Sequence, residues 1–185
     1  MAALKFDIIR KQNASTADIT SKVGDADVVV FVGGISPRLE GEEMRVTEPG
    51  FKGGDRTDIE LPKAQRDMIA ALHQAGKRVV LVNCSGGAIG LVPESENAEA
   101  ILQAWYPGEQ GGTAVADVLF GDCNPSGKLP VTFYKSADQL PDFLDYRMTG
   151  RTYRYFKGTP LFPFGYGLSY TTFAYGKPSY KNNKV

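Results

Sequence analysis

Residues 27–34 read Asp-Val-Val-Val-Phe-Val-Gly-Gly, a continuous run of β-branched and aromatic side chains that two glycines stop. Such a run is typical of a strand that is buried on both faces, as in a parallel sheet. A second run of this kind, residues 78–84, follows a predicted helix over residues 62–75. In that helix Pro62 fits the first turn and Gly76 fits the position after the last turn. This order of strand, helix and strand predicts a parallel sheet.

The neighbouring segments continue the alternation of helices and strands. Residues 15–24 are predicted to form a short helix, and residues 99–105 a third strand. Residues 111–120 are predicted to form a helix that Gly121 ends, and residues 129–134 a short strand or extended segment. We therefore expect an α/β fold, a layered sandwich around a mainly parallel sheet. Ligands of such sheets bind beyond the carboxyl ends of the strands.

The overall composition excludes several classes of protein. The 185 residues suit one domain, and 21 basic residues balance 21 acidic ones. Without a net positive charge, we expect neither nucleic acid nor an anionic membrane as a partner. The sequence has no apolar run long enough to span a bilayer, and its first residues lack the pattern of a signal peptide.

The residues that usually hold metals or act as nucleophiles are few. The two cysteines, Cys84 and Cys123, make no disulfide framework, and Cys84 is predicted to be a small buried side chain. The single histidine, His73, is placed in the last turn of a predicted helix, so neither a zinc site nor a Ser-His-Asp triad is supported. We predict no metal and no cofactor. A nucleotide-binding interpretation would rest on fold analogy, since the glycines at 33–34 and 86–87 match no phosphate-binding motif.

The loop between the first strand and the first long helix is far longer than usual. Residues 34–61 read GISPRLEGEEMRVTEPGFKGGDRTDIEL, whereas such loops normally have about two to six residues. Three carboxylates lie close together in it, at Glu40, Glu42 and Glu43. Because clustered carboxylates repel one another, one of them can hold a proton near neutral pH, as a general acid requires.

Two other interpretations of this acidic loop stay open. The carboxylates could form a solvated charge cluster paired with the arginines of the loop, or they could bind a divalent cation. At the far end of the loop, Asp55 and Arg56 are expected to form an ion pair that closes it.

The last third of the chain is rich in aromatic residues. Eleven of the twenty aromatic side chains fall between Phe143 and Tyr175, among glycines and prolines and without helical periodicity. This extended aromatic tail could stack against sugars, or its rings could simply dock on the domain. Residues 179–185 are polar and are interpreted as an end or the start of a linker, which assigns residues 1–178 to the sandwich domain.

A succession of motifs connects these segments to one family. The motifs are WYPGEQGG at 105–112, AVADVLFGD at 114–122, NPSGKLPVTF at 124–133, GRTYRY at 150–155 and FPFGYGLSY at 162–170. With them, the chain resembles the second, α/β-sandwich domain of glycoside hydrolase family 3 from about residue 26 to residue 174. That family contains β-glucosidases and β-xylosidases that release terminal sugars from non-reducing ends.

The resemblance implies a mechanism shared between two domains. In this family an aspartate nucleophile belongs to an N-terminal (β/α)8 barrel, and a glutamate general acid/base belongs to a loop of the sandwich domain. The family pattern places that role on Glu42, with Glu43 and then Glu40 as alternatives. Twelve residues separate Glu42 from Asp55, which is more than the family pattern has. The implied partners are an oligosaccharide or β-glycoside substrate and the barrel domain of the same parent enzyme, which is periplasmic or secreted by resemblance.

The chain also departs from the family. Compared with the family pattern it lacks the barrel, and the resemblance implies that it starts inside the sandwich domain, so we expect an N-terminally truncated domain that is inactive in isolation. Residues that bind the sugar are not assigned, because the barrel supplies most of those contacts. Two alternatives from other classes are a stand-alone carbohydrate-binding module that uses the aromatic tail and a nucleotide- or flavin-binding α/β protein.

Overall fold

The computed structural model describes residues 15–53 and 55–181. Its elements in chain order are α1 (Thr16–Val23), β1 (Val28–Gly34), α2 (Pro37–Glu40), β2 (Phe51–Lys52), β3 (Asp55–Arg56), α3 (Lys63–Gln74), β4 (Arg78–Cys84), α4 (Val92–Asn97), β5 (Ala100–Gln103), α5 (Gly111–Phe120), a short 3-10 helix (Ala137–Gln139) and α6 (Thr152–Tyr155). The predicted α/β class is confirmed, and so is the mainly parallel sheet.

In the part of the chain that the structure describes, the main sheet has three parallel strands in the order β1-β4-β5. Val28 is paired with Arg78 at one end of β1 and Gly34 with Cys84 at the other. The backbone of Gly34 has φ +131, and a side chain there would place its Cβ only 1.8 Å from the carbonyl oxygen of Cys84. Only glycine fits such a close approach. The long loop therefore leaves the sheet at a fixed point.

Helices α1, α3 and α4 lie on one side of the sheet. Helix α3 packs on β1 and β4, while α1 and α4 pack on α3. Helix α1 begins with a capping box in which Ser15 and Asp18 satisfy each other's backbone N–H groups. Most of the buried apolar residues that the structure describes form one core, made of Ile19, Ile35, Leu61, Ile69, Leu72, Val79, Leu81, Ile89, Leu91 and Phe133.

The expectation that β1 is buried on both faces is wrong. Val29 and Phe31 pack against the core, but Val28, Val30 and Val32 are 42%, 48% and 67% exposed. Among the described residues β1 has β4 as its one neighbouring strand, so it forms an edge of this sheet. The central strand β4 has the double-sided burial instead, since its residues Val79, Leu81 and Val82 are at most 1% exposed.

The aromatic tail is partly docked. The predicted strand over residues 129–134 is not formed: the chain bends at Pro130 and Val131, and Phe133 forms only an isolated antiparallel bridge with Phe162. The ring of Phe162 stacks on Tyr166 with the centroids 5.0 Å apart, and Phe162 also packs against the core. Further along, Tyr175 is 92% exposed. The rings nearest the core are therefore docked on the domain, whereas other rings of the tail face solvent.

The structure also shows the surroundings of Cys84 and His73. Cys84 is only partly buried, and burial raises the pKa of its thiol. His73 lies in the last turn of α3, as predicted. Of the helices that the structure describes, none has the length and apolar character needed to cross a membrane.

Candidate active site

Side chains from several loops meet beyond the carboxyl ends of the three parallel strands. The Tyr106 hydroxyl, from the loop after β5, donates a hydrogen bond of 2.7 Å to Oε2 of Glu40, in the loop after β1. Gly86, in the loop after β4, lies against both of them. The meeting point is the edge at which α/β sheets bind ligands. This edge is therefore our candidate active site.

Glu40 is positioned by a single turn of helix. The Ser36 hydroxyl accepts a hydrogen bond of 3.2 Å from the N–H of Leu39, and Pro37 occupies the first turn. Gly41 ends the helix in the left-handed conformation, with φ 63. As the last residue of α2, Glu40 is half-buried.

Glu42 and Glu43 lie in the turn that follows. The N–H of Met44 donates to the carbonyl of Gly41 at 2.8 Å, so the two glutamates occupy the centre of a tight turn. Both are exposed, and Glu43 has a positive φ of 57. The structure thus separates the three candidates: Glu40 is engaged with Tyr106, while Glu42 and Glu43 face solvent.

Arg56 ties the end of the loop to the sheet. Its guanidinium donates to the carbonyl oxygens of Ala88, at 3.5 Å, and Glu60, at 3.4 Å. Burial lowers the pKa of Arg56, and the nearby charges of Asp58 and Glu40 offset part of that effect. Among the described residues Arg56 closes the loop through backbone carbonyls, and the ion pair with Asp55 that the sequence predicts is not formed there.

The second half of the acidic loop folds into a small hairpin. Strands β2 and β3 form a two-stranded antiparallel hairpin in which Asp55 is paired with Lys52. The hairpin continues into a hydrogen bond of 2.9 Å from the N–H of Thr57 to the carbonyl of Gly50. Asp55 itself is exposed. The chain is therefore folded back on itself here, and the hairpin takes up part of the segment that separates Glu42 from Asp55.

Tyr106 is held as a hydrogen-bond donor. Burial, followed by the hydrogen bond to Glu40 and the charge of Glu40, raises the pKa of Tyr106 to about 12. A Cβ at Gly86 would lie 2.7 Å from the Tyr106 ring, so the ring depends on a glycine there. The sequence alone indicates no role for Tyr106. Its place in the motif at 105–112 was visible, but its contact with Glu40 joins residues 66 positions apart.

A buried polar network lies at the ends of β4 and β5. Asn83 donates to Gln103 Oε1 at 2.6 Å, Gln103 donates to Ser85 Oγ at 3.1 Å, and Ser85 donates to the carbonyl of Gly87 at 2.8 Å. Asn83 and Ser85 are fully buried. Apart from Asn83 Oδ1, which has no hydrogen-bond partner in the described part of the chain, the polar groups of this network are paired. Such a network restricts the loops it connects. The network thus fixes the path of the loop after β4, and the Tyr106 ring lies against Gly86 of that loop.

Two other kinds of site could lie along the described chain, a metal site and a sugar-binding pocket. Within residues 15–53 and 55–181, no three side chains of the metal-binding types come together. In the aromatic tail, an open pocket of about 510 Å³ is lined by Thr132, Tyr134, Tyr153 and Tyr155, among others. The ring of Tyr153 stacks on Phe164 with the centroids 4.5 Å apart.

Comparison with solved structures places the fold among known enzymes. A β-D-glucoside glucohydrolase from Trichoderma reesei matches 88% of this chain with a TM-score of 0.74 and 29% sequence identity, over 24% of its own length. A family 3 exo-β-xylosidase in complex with a xylobiose aziridine probe matches 85% of this chain with a TM-score of 0.71 and 31% identity, over 20% of its length.

Comparison by sequence leads to the same group. The chain is 61% identical over 176 residues to a xylan 1,4-β-xylosidase from Xylanibacter ruminicola, covering 95% of this chain and 20% of that protein. It is 44% identical over 183 residues to a periplasmic β-glucosidase from Salmonella typhimurium, covering 92% of this chain and 22% of that protein. The chain thus spans about a fifth of the length of these relatives. The model of the glycosyl hydrolase family 3 C-terminal domain matches residues 3–170, and the chain therefore belongs to glycoside hydrolase family 3.

Proposed function

We propose that this chain is part of a retaining, exo-acting β-glycosidase that hydrolyses terminal, non-reducing β-linked sugars. It supplies the general acid/base from the acidic loop, and a barrel domain of the same parent enzyme supplies the nucleophile. The observation that carries the proposal is the acidic loop itself, held at the carboxyl edge of a parallel sheet in a chain of this family. The 61% identity to a protein named as a xylosidase favours β-xylosides as the substrate class.

Glu42 is our choice for the general acid/base. Glu40 already accepts the hydrogen bond from Tyr106, so its carboxylate is engaged within this chain. Glu42 lies two residues further on, exposed at the tip of a turn, where it can reach a substrate that a second domain binds. Glu43 shares that turn and is the first alternative, and Glu40 is the second.

The proposed mechanism uses Glu42 twice. As an acid, it protonates the departing glycosidic oxygen while the nucleophile of the barrel attacks the sugar. As a base, it then takes a proton from the water that hydrolyses the glycosyl-enzyme. Retention requires the two carboxyl groups to lie about 5 Å apart, so the turn at residues 41–44 must face the barrel.

The test is Glu42→Ala in the full-length parent enzyme, with substrates whose leaving groups differ. A dinitrophenyl leaving group needs little protonation, so its glycosylation step should survive. With a sugar or alkyl leaving group we expect a loss of roughly two to four orders of magnitude. The second step lacks its base, so the glycosyl-enzyme should accumulate, and azide should restore turnover because it attacks without losing a proton.

The neighbouring glutamates provide the controls. Glu43→Ala and Glu48→Ala should show neither the dependence on the leaving group nor the rescue by azide. Glu40→Ala should show no azide rescue, since the carboxylate that carries the proton is still present. If Glu43→Ala shows both signs and Glu42→Ala shows neither, the role belongs to Glu43. If no variant shows the dependence on the leaving group and the rescue by azide, the acidic loop does not carry the general acid/base.

The pocket in the aromatic tail favours a second candidate function, that of a carbohydrate-binding module. Tyr153 is 64% exposed, with its ring backed by Phe164, and such rings bind the faces of sugars. Calorimetric titration of the chain with xylobiose and cellobiose distinguishes the two candidates. Binding that Tyr153→Ala abolishes would support a module, while its absence would leave the glycosidase proposal unaffected. The family match gives no support to nucleotide or flavin binding.

A further inference from the structure

We propose that Tyr106 and Glu40 are positioning residues, which hold the acidic loop so that Glu42 is presented to the substrate. Neither transfers the proton. This inference rests on the proposed function, since it describes how the same loop is set. It concerns the hydrogen bond of 2.7 Å from the Tyr106 hydroxyl to Glu40 Oε2.

Tyr106 is held in place by packing on both sides of it, through its neighbour Trp105 and against Gly86. Its neighbour Trp105 packs against the core, with its ring 6.0 Å from that of Phe133 in an edge-to-face arrangement. The ring of Tyr106 lies against Gly86, where a Cβ would come within 2.7 Å. Tyr106 is thus a fixed point from which a loop can be held.

The position of Glu40 also determines the position of Glu42. One residue, Gly41, lies between them, buried and left-handed with φ 63. A Cβ on Gly41 would meet Val46 at 2.0 Å, so this residue is packed tightly on its other side. The turn that carries Glu42 begins at the Gly41 carbonyl. With Glu40 and Gly41 both held, the turn has little freedom at its base.

Arg56 connects the end of the acidic loop to the same cluster. Its guanidinium is bound to the carbonyls of Ala88 and Glu60, and its charge interacts with Glu40 and Tyr106. The loops after β1, β4 and β5 and the β2–β3 hairpin therefore meet at one cluster. Removing one hydroxyl from it should loosen the acidic loop without disturbing the core.

The first arm of the test uses the chain itself. Tyr106→Phe removes the hydroxyl and keeps the ring. We expect the amides of Gly41 and Met44 to exchange with solvent about tenfold faster, as the loss of one hydrogen bond predicts, and those of β4 to be unchanged. The matched control is Tyr170→Phe, because the Tyr170 hydroxyl makes a hydrogen bond of the same length, 2.7 Å, to the carbonyl of Val118. Unchanged exchange in Tyr106→Phe, or an equal change at Gly41 in Tyr170→Phe, would overturn the proposal.

The second arm uses the full-length parent enzyme with an unactivated glycoside. Tyr106→Phe and Glu40→Ala should lower kcat about 10- to 100-fold with KM nearly unchanged, because a small misplacement of a catalytic group costs this much. Glu40→Gln should retain most of the activity, since its amide oxygen can still accept the hydrogen bond. If Glu40→Gln is as impaired as Glu40→Ala, the positioning role is wrong. A parent without any glycosidase activity would overturn the proposed function, while the exchange experiment would still test the contact.

Discussion

Glu94 is the most deeply buried carboxylate that the structure describes, at 1% exposed. Neither of its carboxylate oxygens has a hydrogen-bond partner among the described residues. The nearest cation, the Nε of Arg66, lies 3.7 Å from Oε1, and Arg66 also forms an ion pair with Glu60. Burial raises the pKa of Glu94, and its own backbone N–H and Arg66 offset part of the effect. A charge at this position therefore destabilises the fold.

We predict that Glu94→Gln stabilises the chain at pH 7, raising Tm by about 2 to 4 °C. A carboxyl whose pKa is raised on folding contributes its full stability below the unfolded value of about 4.3, and that contribution is lost as the pH rises through the folded value. The gain from the variant should therefore shrink towards zero at pH 4. Thermal melts of both proteins between pH 4 and pH 8 measure this.

An exposed neighbour provides the control for this prediction. Glu96→Gln changes the same charge two residues away on α4, where the side chain is exposed, and should leave Tm within about 1 °C at all pH values. If Glu94→Gln lowers Tm at pH 7, the attraction between Glu94 and Arg66 outweighs the cost of burial.

At the scale of helices and strands, the sequence predicts those elements whose pattern is local in sequence. Strands β1 and β4 and helix α3 could be located because their apolar runs and periodicity are contained in a few successive residues. The exposure of β1 could not be predicted, since a run of valines indicates a strand but not how many neighbours it has. Helix α2 and the β2–β3 hairpin were missed, because glycines and prolines hide short elements inside a long loop.

In the candidate site, too, the residues that form a local pattern could be predicted and those that act through distant contacts could not. Glu40, Glu42 and Glu43 could be identified because their carboxylates are clustered in sequence. Tyr106 and Gly86 could not, because their roles arise from contacts that the parallel sheet creates between distant loops. A hydrogen bond across 66 positions has no spacing that a sequence motif can capture.

The open face of β1 leads to a prediction about solubility. Val28, Val30 and Val32 project from an edge strand into solvent, and edge strands with apolar faces promote association. Replacing all three with threonine, which has nearly the same shape, should reduce aggregation of the isolated chain on heating. Tm should stay within about 2 °C, because exposed substitutions change stability little. Light scattering during a thermal melt measures both effects.

The buried strand provides the contrasting variant. Val82→Thr places a hydroxyl at a site that is 1% exposed and should destabilise the chain by about 1 to 3 kcal/mol. A triple variant of β1 that is as destabilised as Val82→Thr would show that the face of β1 is covered in solution.

At the scale of the whole molecule, the chain is expected to be inactive alone. It spans about a fifth of its relatives, and the proposed nucleophile must lie about 5 Å from the acid/base. A purified sample should therefore hydrolyse aryl β-glycosides no faster than the same chain carrying Glu42→Ala. Turnover that this substitution abolishes would mean that the acidic loop contains both carboxylates.

The position of the acidic loop also has a consequence for how the protein folds. Strands β1 and β4 pair in parallel, Val28 with Arg78, and the acidic loop lies within the connection between them. That pairing requires the whole connection to be closed, and the entropy lost in closing it grows with its length. Contacts between residues so far apart in sequence also slow folding. The segment that we propose carries the chemistry thus raises the contact order of the fold, and a shorter loop would allow the sheet to form faster.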